Sequence, residues 1–296
     1  MNGGCWGLNT EEGLHQLIFL LDPGKKHPSA GKKTKLAGLK TNVYSCRDGS
    51  VLSNILQEAC GSAEEREHML FVTDAGWIYR ELNRSGCPAA GYLHAGNTGE
   101  LFRGAPYVIE EPEEIDRDSY EKIWQRASGR PWIIAETERL FIREMVPEDL
   151  ESLYLLYEDA QTRCFLDPLS EDREKEKALL EAYIKKIYPF YGYGLWAVCR
   201  RTDGAMIGRV GLSPCQKGGD AVELGYLIRH DLRKKGFAAE AGAAVLNFAR
   251  WELMLREVDL YTDPANEASR RTAQALGFVL TESAGNLERW RIRWDD

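Results

Sequence analysis

The segment VELGYLIRHDLRKKGFAAEA, residues 222–241, contains the residue types that most clearly suggest chemistry. An apolar strand leads into a basic turn and then into a helix whose start carries Gly236 followed by small residues. The unpaired N–H groups of a helix start and the positive end of its dipole suit a diphosphate, and small side chains let phosphate oxygens approach them. The turn adds positive charge through Arg233, Lys234 and Lys235. A plain helix after a solvated basic turn is the alternative, and this segment alone fits both interpretations.

Three segments in order resemble the GNAT superfamily of N-acetyltransferases. Residues 233–238, RKKGFA, resemble its [QR]-x-x-G-x-[GA] loop, which binds the pyrophosphate of acetyl-CoA. Residues 140–144, LFIRE, followed by Asp149-Leu150, resemble the first strand and helix of the branch that contains the ribosomal-protein N-terminal acetyltransferases. Residues 266–271, NEASRR, which lead to ALGF at 275–278, resemble that branch's N-x-x-S-x-[KR]…LGF signature. The resemblance covers the C-terminal half and implies acetyl-CoA as the cofactor.

The resemblance also implies roles for individual residues. Backbone amides of residues 234–238 would hold the pyrophosphate, and splayed strands at 222–229 and 258–262 would admit the pantetheine arm. Asn266 would hydrogen-bond that arm, although a simple helix N-cap fits its position too. The predicted cofactor-binding residues are Leu227, Ile228, Arg229, Arg233, Lys234, Lys235, Gly236, Phe237, Ala238, Asn266 and Ser269.

Chemistry in this family is direct attack of an amine on the thioester, and the amine must first lose a proton. Glu223, on the strand that leads to the cofactor loop, is the predicted general base; a solvent-facing or paired strand carboxylate is the alternative. A backbone N–H near Leu227 would hold the oxyanion. Many members place a tyrosine before the LGF turn as general acid, but Ala273 stands there. Either the thiolate leaves unprotonated, or another group such as Tyr261 protonates it.

The acceptor site has weaker signals. By analogy, residues 164–170 and an aromatic run that begins at Tyr188 would line it. The predicted substrate-binding residues are Tyr191, Tyr193 and Trp196. Aromatic residues at strand starts are also frequent core residues, so a packing role is the alternative.

The N-terminal half alternates strand and helix patterns from residue 45 to 130, which predicts a parallel sheet with crossover helices. Residues 70–115 resemble the second half of a HAD-type phosphatase domain, with Thr73 at the strand end that would bind phosphate. That family's D-x-D-x-[TV] nucleophile motif is missing, and Asp116-Arg117-Asp118 is better explained as a helix cap. We therefore expect a degenerate domain kept for packing, dimerisation or ligand binding.

The predicted fold class is α/β, with a partial HAD-like parallel domain followed by an α+β GNAT fold whose central sheet is mixed and splayed. Ser128-Gly129-Arg130-Pro131 marks the boundary between the halves. The expected divisions are an N-terminal extension with a basic loop at 1–44, the HAD-like domain at 45–130 and the acetyltransferase domain at 131–296. The basic loop does not match the G-x-x-x-x-G-K-[ST] phosphate-binding pattern.

Composition excludes several classes of protein. A net charge of −8 over 296 residues argues against nucleic-acid binding. The seven scattered cysteines include no C-x-x-C pair, and the five histidines are isolated, so neither a disulfide framework nor a metal site is predicted. The apolar run at 17–21 is too short to span a membrane. A cytoplasmic protein is expected, with a homodimer as one option.

Together these features predict transfer of acetyl from acetyl-CoA to a primary amine. The acceptor would be a protein N-terminus or a small molecule such as an aminoglycoside or a polyamine. Two alternatives remain open. The cofactor fold could serve as an inactive acyl-CoA sensor or scaffold, or the N-terminal domain could be a working phosphatase.

Overall fold

The computed structural model describes residues 13–25, 35–166, 168–215 and 221–295. These residues form two compact units, which divide between Trp132 and Ile133. Each unit has its own sheet, of six strands in the first and eight in the second. None of the helices in the described ranges combines the length and the apolar character that crossing a bilayer requires.

The first unit is built on a sheet that is parallel except at one edge. Its strands lie in the order β2-β3-β1-β4-β5-β6. Only β2 runs antiparallel to its neighbour among these strand pairs. The strands are β1 (Gln16–Leu21), β2 (Lys35–Leu36), β3 (Leu39–Ser45), β4 (Met69–Thr73), β5 (Ala89–Tyr92) and β6 (Val108–Ile109).

Helices cover both faces of this sheet. The helices are α1 (Gly49–Asn54), which continues as a π-helix (Ile55–Ala59), α2 (Ala63–Glu67), α3 (Gly76–Arg84) and α4 (Arg117–Ala127). Alternate residues of β1 pack into two cores, one with α1 and α3 and one with α4. Every residue of β1 is therefore buried, as expected for an inner parallel strand.

The structure corrects the predicted extension at residues 1–44. Strand β1 lies inside the sheet between β3 and β4, and β3 begins at Leu39, so residues 16–21 and 39–44 belong to the first unit. The apolar run at 17–21 is this inner strand; because both of its faces are buried, it lacks the alternation that identifies a strand. Residues 26–34 of the predicted basic loop lie outside the described residues.

The second unit has a mixed sheet in the order β13-β14-β12-β11-β10-β9-β8-β7. Neighbouring strands are antiparallel except for β11 and β12, which are parallel. A mixed sheet was predicted for this half. The strands are β7 (Ile133–Glu136), β8 (Leu140–Arg143), β9 (Leu195–Arg200), β10 (Met206–Pro214), β11 (Val222–Ile228), β12 (Glu257–Thr262), β13 (Val279–Ala284) and β14 (Leu287–Arg293).

Helices pack on both faces of this sheet as well. One core joins the sheet to α8 and α9, and the other joins it to α5 and α7. The helices are α5 (Leu150–Tyr157), which follows a 3-10 turn (Pro147–Asp149), α6 (Ala160–Arg163), α7 (Arg173–Tyr191), α8 (Phe237–Trp251) and α9 (Glu267–Ala275). Helix α7 stops at Gly192, which has a φ of +73°.

A buried ion pair joins β8 to the turn before α5. Arg143 donates from both terminal nitrogens to the carboxylate of Asp149, at 2.7 and 2.8 Å, and each side chain is only 7 % exposed. Because Asp149→Ala would leave this guanidinium buried without its counter-charge, we expect it to lower the free energy of unfolding by about 3–5 kcal/mol. Urea denaturation measures this loss. Glu151→Ala, which removes the exposed partner of Arg173, should cost less than about 1 kcal/mol; equal losses would contradict the account.

Candidate active site

The parallel strands β11 and β12 open a gap in the second sheet. They are in register at Glu223 and Asp259, and the residues that follow on both strands, 224–228 and 260–262, line one cavity. On its other side β11 stays paired with β10 along its whole length. Backbone groups of β11 that point toward β12 therefore face the cavity beyond Glu223, as the predicted splay requires.

The start of helix α8 forms one end of this cavity. Gly236 precedes the helix with a φ of +82°, and no side chain of the described residues caps it. Lys234 also has a positive φ, of 62°. Residues 236–239 line the cavity, so the first N–H groups of the helix lie at its wall, where backbone donors and the helix dipole suit an anion.

Arg139 contacts the turn at residues 233–238, which we call the cofactor turn after its predicted role, and does not itself line the cavity. It donates to the carbonyl of Lys235 at 3.0 Å and to the carboxylate of Glu240 at 2.6 Å, and its guanidinium lies 4.5 Å from the ring of Phe237. Glu240 also accepts from the hydroxyl of Thr137. Burial alone would raise the pKa of Glu240, but the hydrogen bonds from Thr137 and Arg139 lower it. These contacts join the turn and the first helical turn of α8 to residues 137 and 139.

The cavity measures about 890 Å³, within the usual range for a small-molecule site. It brings together most of the predicted site residues. Those that line it are Glu223, Leu227, Ile228, Arg233, Lys234, Gly236, Phe237, Ala238, Tyr261, Asn266 and Ser269. The uncapped helix start, the open strands and the volume fit acetyl-CoA. Asn266 is also the N-cap of α9, because its Oδ1 accepts from the N–H of Ser269 at 3.1 Å.

The two predicted catalytic side chains come from the two separating strands. Glu223 is half-buried on β11, opposite Ser213 of β10. The hydroxyl of Tyr261, on β12, accepts from the thiol of Cys215 at 3.4 Å. Burial raises the pKa of Tyr261, and Cys215 and the carboxylates of Asp259 and Glu223 raise it further. The phenol therefore remains protonated at neutral pH and is a weaker acid than a free tyrosine.

Several predicted residues lie outside the cavity lining. Trp196 is fully buried, with its ring 5.4 Å from that of Phe248 in the α8 core, so the substrate-binding prediction for it is corrected to a packing role. Alternation along β9 turns it toward that core. Tyr191 and Tyr193 contact each other, with ring centroids 5.5 Å apart, away from the lining residues. Arg229 bonds Asp231 within its own turn, and Lys235 offers its carbonyl to Arg139.

Sequence patterns missed several residues of the cavity. Tyr226 lies on β11 with its hydroxyl 2.9 Å from Oγ of Ser269 on α9; burial raises its pKa, partly offset by the Ser269 hydrogen bond. The sequence offered one signal that could have identified Tyr226 as a cavity residue: it lies three residues after Glu223 on the strand predicted at 222–229. Others include Gln161, Thr162, Thr262, Asp263, Arg271, Thr272, Asn286 and Leu287. Ala273, at the position of the family's tyrosine, is fully buried.

In the first unit, polar side chains meet at the carboxyl ends of β4 and β5. Thr73 is fully buried, and its Oγ1 accepts from the N–H of Ala75 at 3.3 Å. Asp74 accepts from the backbone N–H of Asp22 at 2.8 Å and contacts Nε2 of His94 at 3.2 Å. Asp116 caps α4 by accepting from the N–H of Ser119 at 2.7 Å. Thr73 and Asp116 thus accept from backbone N–H groups of their own turns, whereas Asp74 and His94 contact each other.

Known proteins are similar to the part of the chain that contains the cavity. Residues 139–279 match the family model described as an acetyltransferase (GNAT) domain. The chain is 27% identical over 156 residues to the uncharacterized protein YkkB of Bacillus subtilis (strain 168), across 52% of this chain and 88% of that protein. It is 26% identical over 146 residues to the uncharacterized N-acetyltransferase YoaA of the same organism, across 49% and 82%.

A solved structure also resembles the second unit. The ribosomal-protein-S5-alanine acetyltransferase of Vibrio fischeri is 19% identical, with a TM-score of 0.48, across 55% of this chain and 97% of that chain. The family match spans β8 to α9, and it includes every residue that lines the cavity except Asn286 and Leu287. The C-terminal half of this chain therefore carries a GNAT acetyltransferase domain.

Proposed function

We propose that this protein transfers acetyl from acetyl-CoA to a primary amine by direct attack in a ternary complex. One observation carries the proposal: a single cavity joins the uncapped start of α8 to Glu223 and Tyr261 on the separating strands. Cofactor binding requires a site for the diphosphate, which a helix start can provide. Deprotonation of the amine requires a base, which the carboxylate of Glu223 can provide.

Each group would have a defined task. Acetyl-CoA supplies an activated thioester. The amides at the start of α8 and Lys234 would bind its diphosphate, with Asn266 and Ser269 beside its arm. Glu223 would accept the proton of the amine, directly or through water. A backbone N–H near Leu227 would stabilise the oxyanion, and CoA would leave as the thiolate or take a proton from Tyr261.

The acceptor we propose is a protein N-terminus or a small-molecule amine. The cavity wall at 161–166 presents exposed apolar side chains, Phe165 and Leu166, beside Cys164. Such a wall suits an amine with an apolar neighbour. We propose a cytoplasmic location, since the scattered cysteines indicate a reducing compartment. A homodimer is compatible with the proposed activity.

The test is CoA release, measured as free thiol, over a panel of N-terminal peptides, polyamines and aminoglycosides. Each primary amine is matched by its dimethylated tertiary form, which cannot form a stable amide. The proposal expects release with at least one primary amine and none with its tertiary match. Acetyl-CoA binding without release for any acceptor would instead support the acyl-CoA sensor, which the buried Ala273 favours because it provides no hydroxyl.

For the first unit we propose a HAD-like module without phosphatase activity. The support is that Thr73 is buried and bonded to its own turn, and that Asp116 caps a helix. We therefore expect the full-length protein to release no phosphate from a generic phosphate ester with magnesium, at any pH from acid to alkaline. Turnover that persists in Gly236→Glu and is lost in Asp74→Asn would contradict this expectation.

A further inference from the structure

Arg233 connects the two sides of the cavity. It belongs to the cofactor turn, but its guanidinium reaches the wall segment, which we define as residues 159–166. One terminal nitrogen donates to Oδ2 of Asp159 at 2.9 Å and to Oε1 of Gln161 at 3.2 Å. The other donates to the hydroxyl of Thr162. Its Nε donates to the carbonyl of Ile228 at 3.2 Å, which fixes the side chain at the end of β11.

The wall segment has little structure of its own to hold it. Helix α6 is four residues long, and a helix of that length is unstable without tertiary contacts. Asp159 caps it by accepting from the N–H of Thr162 at 3.1 Å. Five residues of the segment line the cavity: Gln161, Thr162, Cys164, Phe165 and Leu166. Four of these are exposed, and Thr162, which Arg233 contacts, is buried.

The contact between Arg233 and the wall segment depends on the charge of Asp159 and on the shape of the arginine side chain. Desolvation would raise the pKa of Asp159, but the N–H of Thr162 and the guanidinium of Arg233 lower it, so the carboxylate is charged. A planar fork reaches several acceptors at once, which a lysine ammonium on a flexible stem does not. The same arginine therefore serves a helix cap, a hydroxyl and a strand carbonyl.

We propose that Arg233 is a positioning residue that fastens the wall segment to the cofactor turn, so that acetyl-CoA bound at the turn orders the wall against which the amine binds. This rests on the proposed function. It also changes the role predicted for Arg233, which was cofactor binding. The guanidinium bonds to the wall segment instead, and the backbone N–H groups of the turn would bind the diphosphate. Amine binding is then coupled to cofactor binding through one side chain.

Hydrogen exchange on the full-length protein, with and without acetyl-CoA, tests this coupling. In the wild type we expect acetyl-CoA to slow exchange of residues 160–166 by about tenfold or more, the effect of a charge-assisted hydrogen bond. Arg233→Gln, which still fits the loop pattern, should bind acetyl-CoA within about threefold of the wild type but lose this slowing. Asp159→Asn keeps the helix cap but removes the carboxylate charge, so it should also lose the slowing of exchange by acetyl-CoA. The double variant should show no further loss than either single variant.

The control is Arg200→Gln, which removes an arginine that pairs with Asp203 at the exposed β9–β10 turn and should preserve the slowing. Slowing that survives in Arg233→Gln would overturn the proposal. Loss of acetyl-CoA binding in Arg233→Gln would also overturn it, because Arg233 would then be a direct ligand. If the wild type bound no acetyl-CoA, the proposed function would fail. Faster exchange of the wall segment in unliganded Arg233→Gln than in the wild type would still support the role of Arg233 in fastening this segment. Unchanged exchange would refute that role.

Discussion

Replacing Gly236 by glutamate is expected to weaken acetyl-CoA binding by about 100-fold or more, which is roughly 3 kcal/mol. Gly236 has a φ of +82° directly before an uncapped helix, a conformation that costs a residue with a Cβ about 1–2 kcal/mol. The new carboxylate would also occupy the helix start where the diphosphate is expected, and like charges repel there. The nearest atom to an added Cβ is Nη2 of Arg139 at 3.4 Å, so the side chain can be accommodated and the fold retained.

The matched control for this variant is Gly204→Glu. Gly204 has a similar φ of +70° at the β9–β10 turn, and an added Cβ meets nothing within 4 Å. It therefore introduces the same backbone strain and the same charge away from the cavity. Equilibrium dialysis against acetyl-CoA should show wild-type affinity for Gly204→Glu and weak binding for Gly236→Glu. Equal affinities in the two variants would exclude the start of α8 as the diphosphate site.

The second large effect is expected from Glu223→Gln. If Glu223 accepts the proton of the amine, the amide should lower kcat by about 100-fold to 10,000-fold, the usual contribution of a general base. Glutamine has nearly the same shape, and the proposed diphosphate site at the start of α8 does not include Glu223. Acetyl-CoA affinity should therefore stay within about twofold of the wild type. Steady-state kinetics combined with a binding measurement separates the two effects.

Glu257→Gln provides the comparison for the catalytic variant. Glu257 is a partly exposed carboxylate on the neighbouring strand β12, paired with Arg291 and Arg293, and it lies outside the cavity lining. Its loss should leave kcat unchanged. A wild-type rate in Glu223→Gln would remove Glu223 from the mechanism, and the same rate loss in both variants would point to a general effect of charge on the sheet.

The C-terminal half could be predicted closely because its elements carry local signals. Gly236 and the small residues after it identified the start of α8. The apolar segment at the start of residues 222–241 identified β11, the strand that carries Glu223. The gap between β11 and β12 was expected from the resemblance to the acetyltransferase family, and the structure has these two strands in register at Glu223 and Asp259.

What the sequence could not show depends on distant contacts. Strand β1 is buried on both faces by helices far along the chain, so its sequence has no alternation to detect. Trp196 and Tyr193 look alike in sequence, and only the packing of α8 assigns Trp196 to the core. Arg233 meets Asp159 across 74 positions, and no local pattern reports that contact. Turn chemistry is local, whereas the partners of a side chain are set by topology.

The most direct test of the central claim is calorimetric titration of the wild-type protein with acetyl-CoA, repeated in the presence of excess CoA. The account predicts saturable binding with one cofactor per chain, and competition by CoA because the diphosphate and pantetheine arm are common to both. Absence of binding by the folded protein would contradict it. The cavity between β11 and β12 would then be an acetyltransferase site in architecture only.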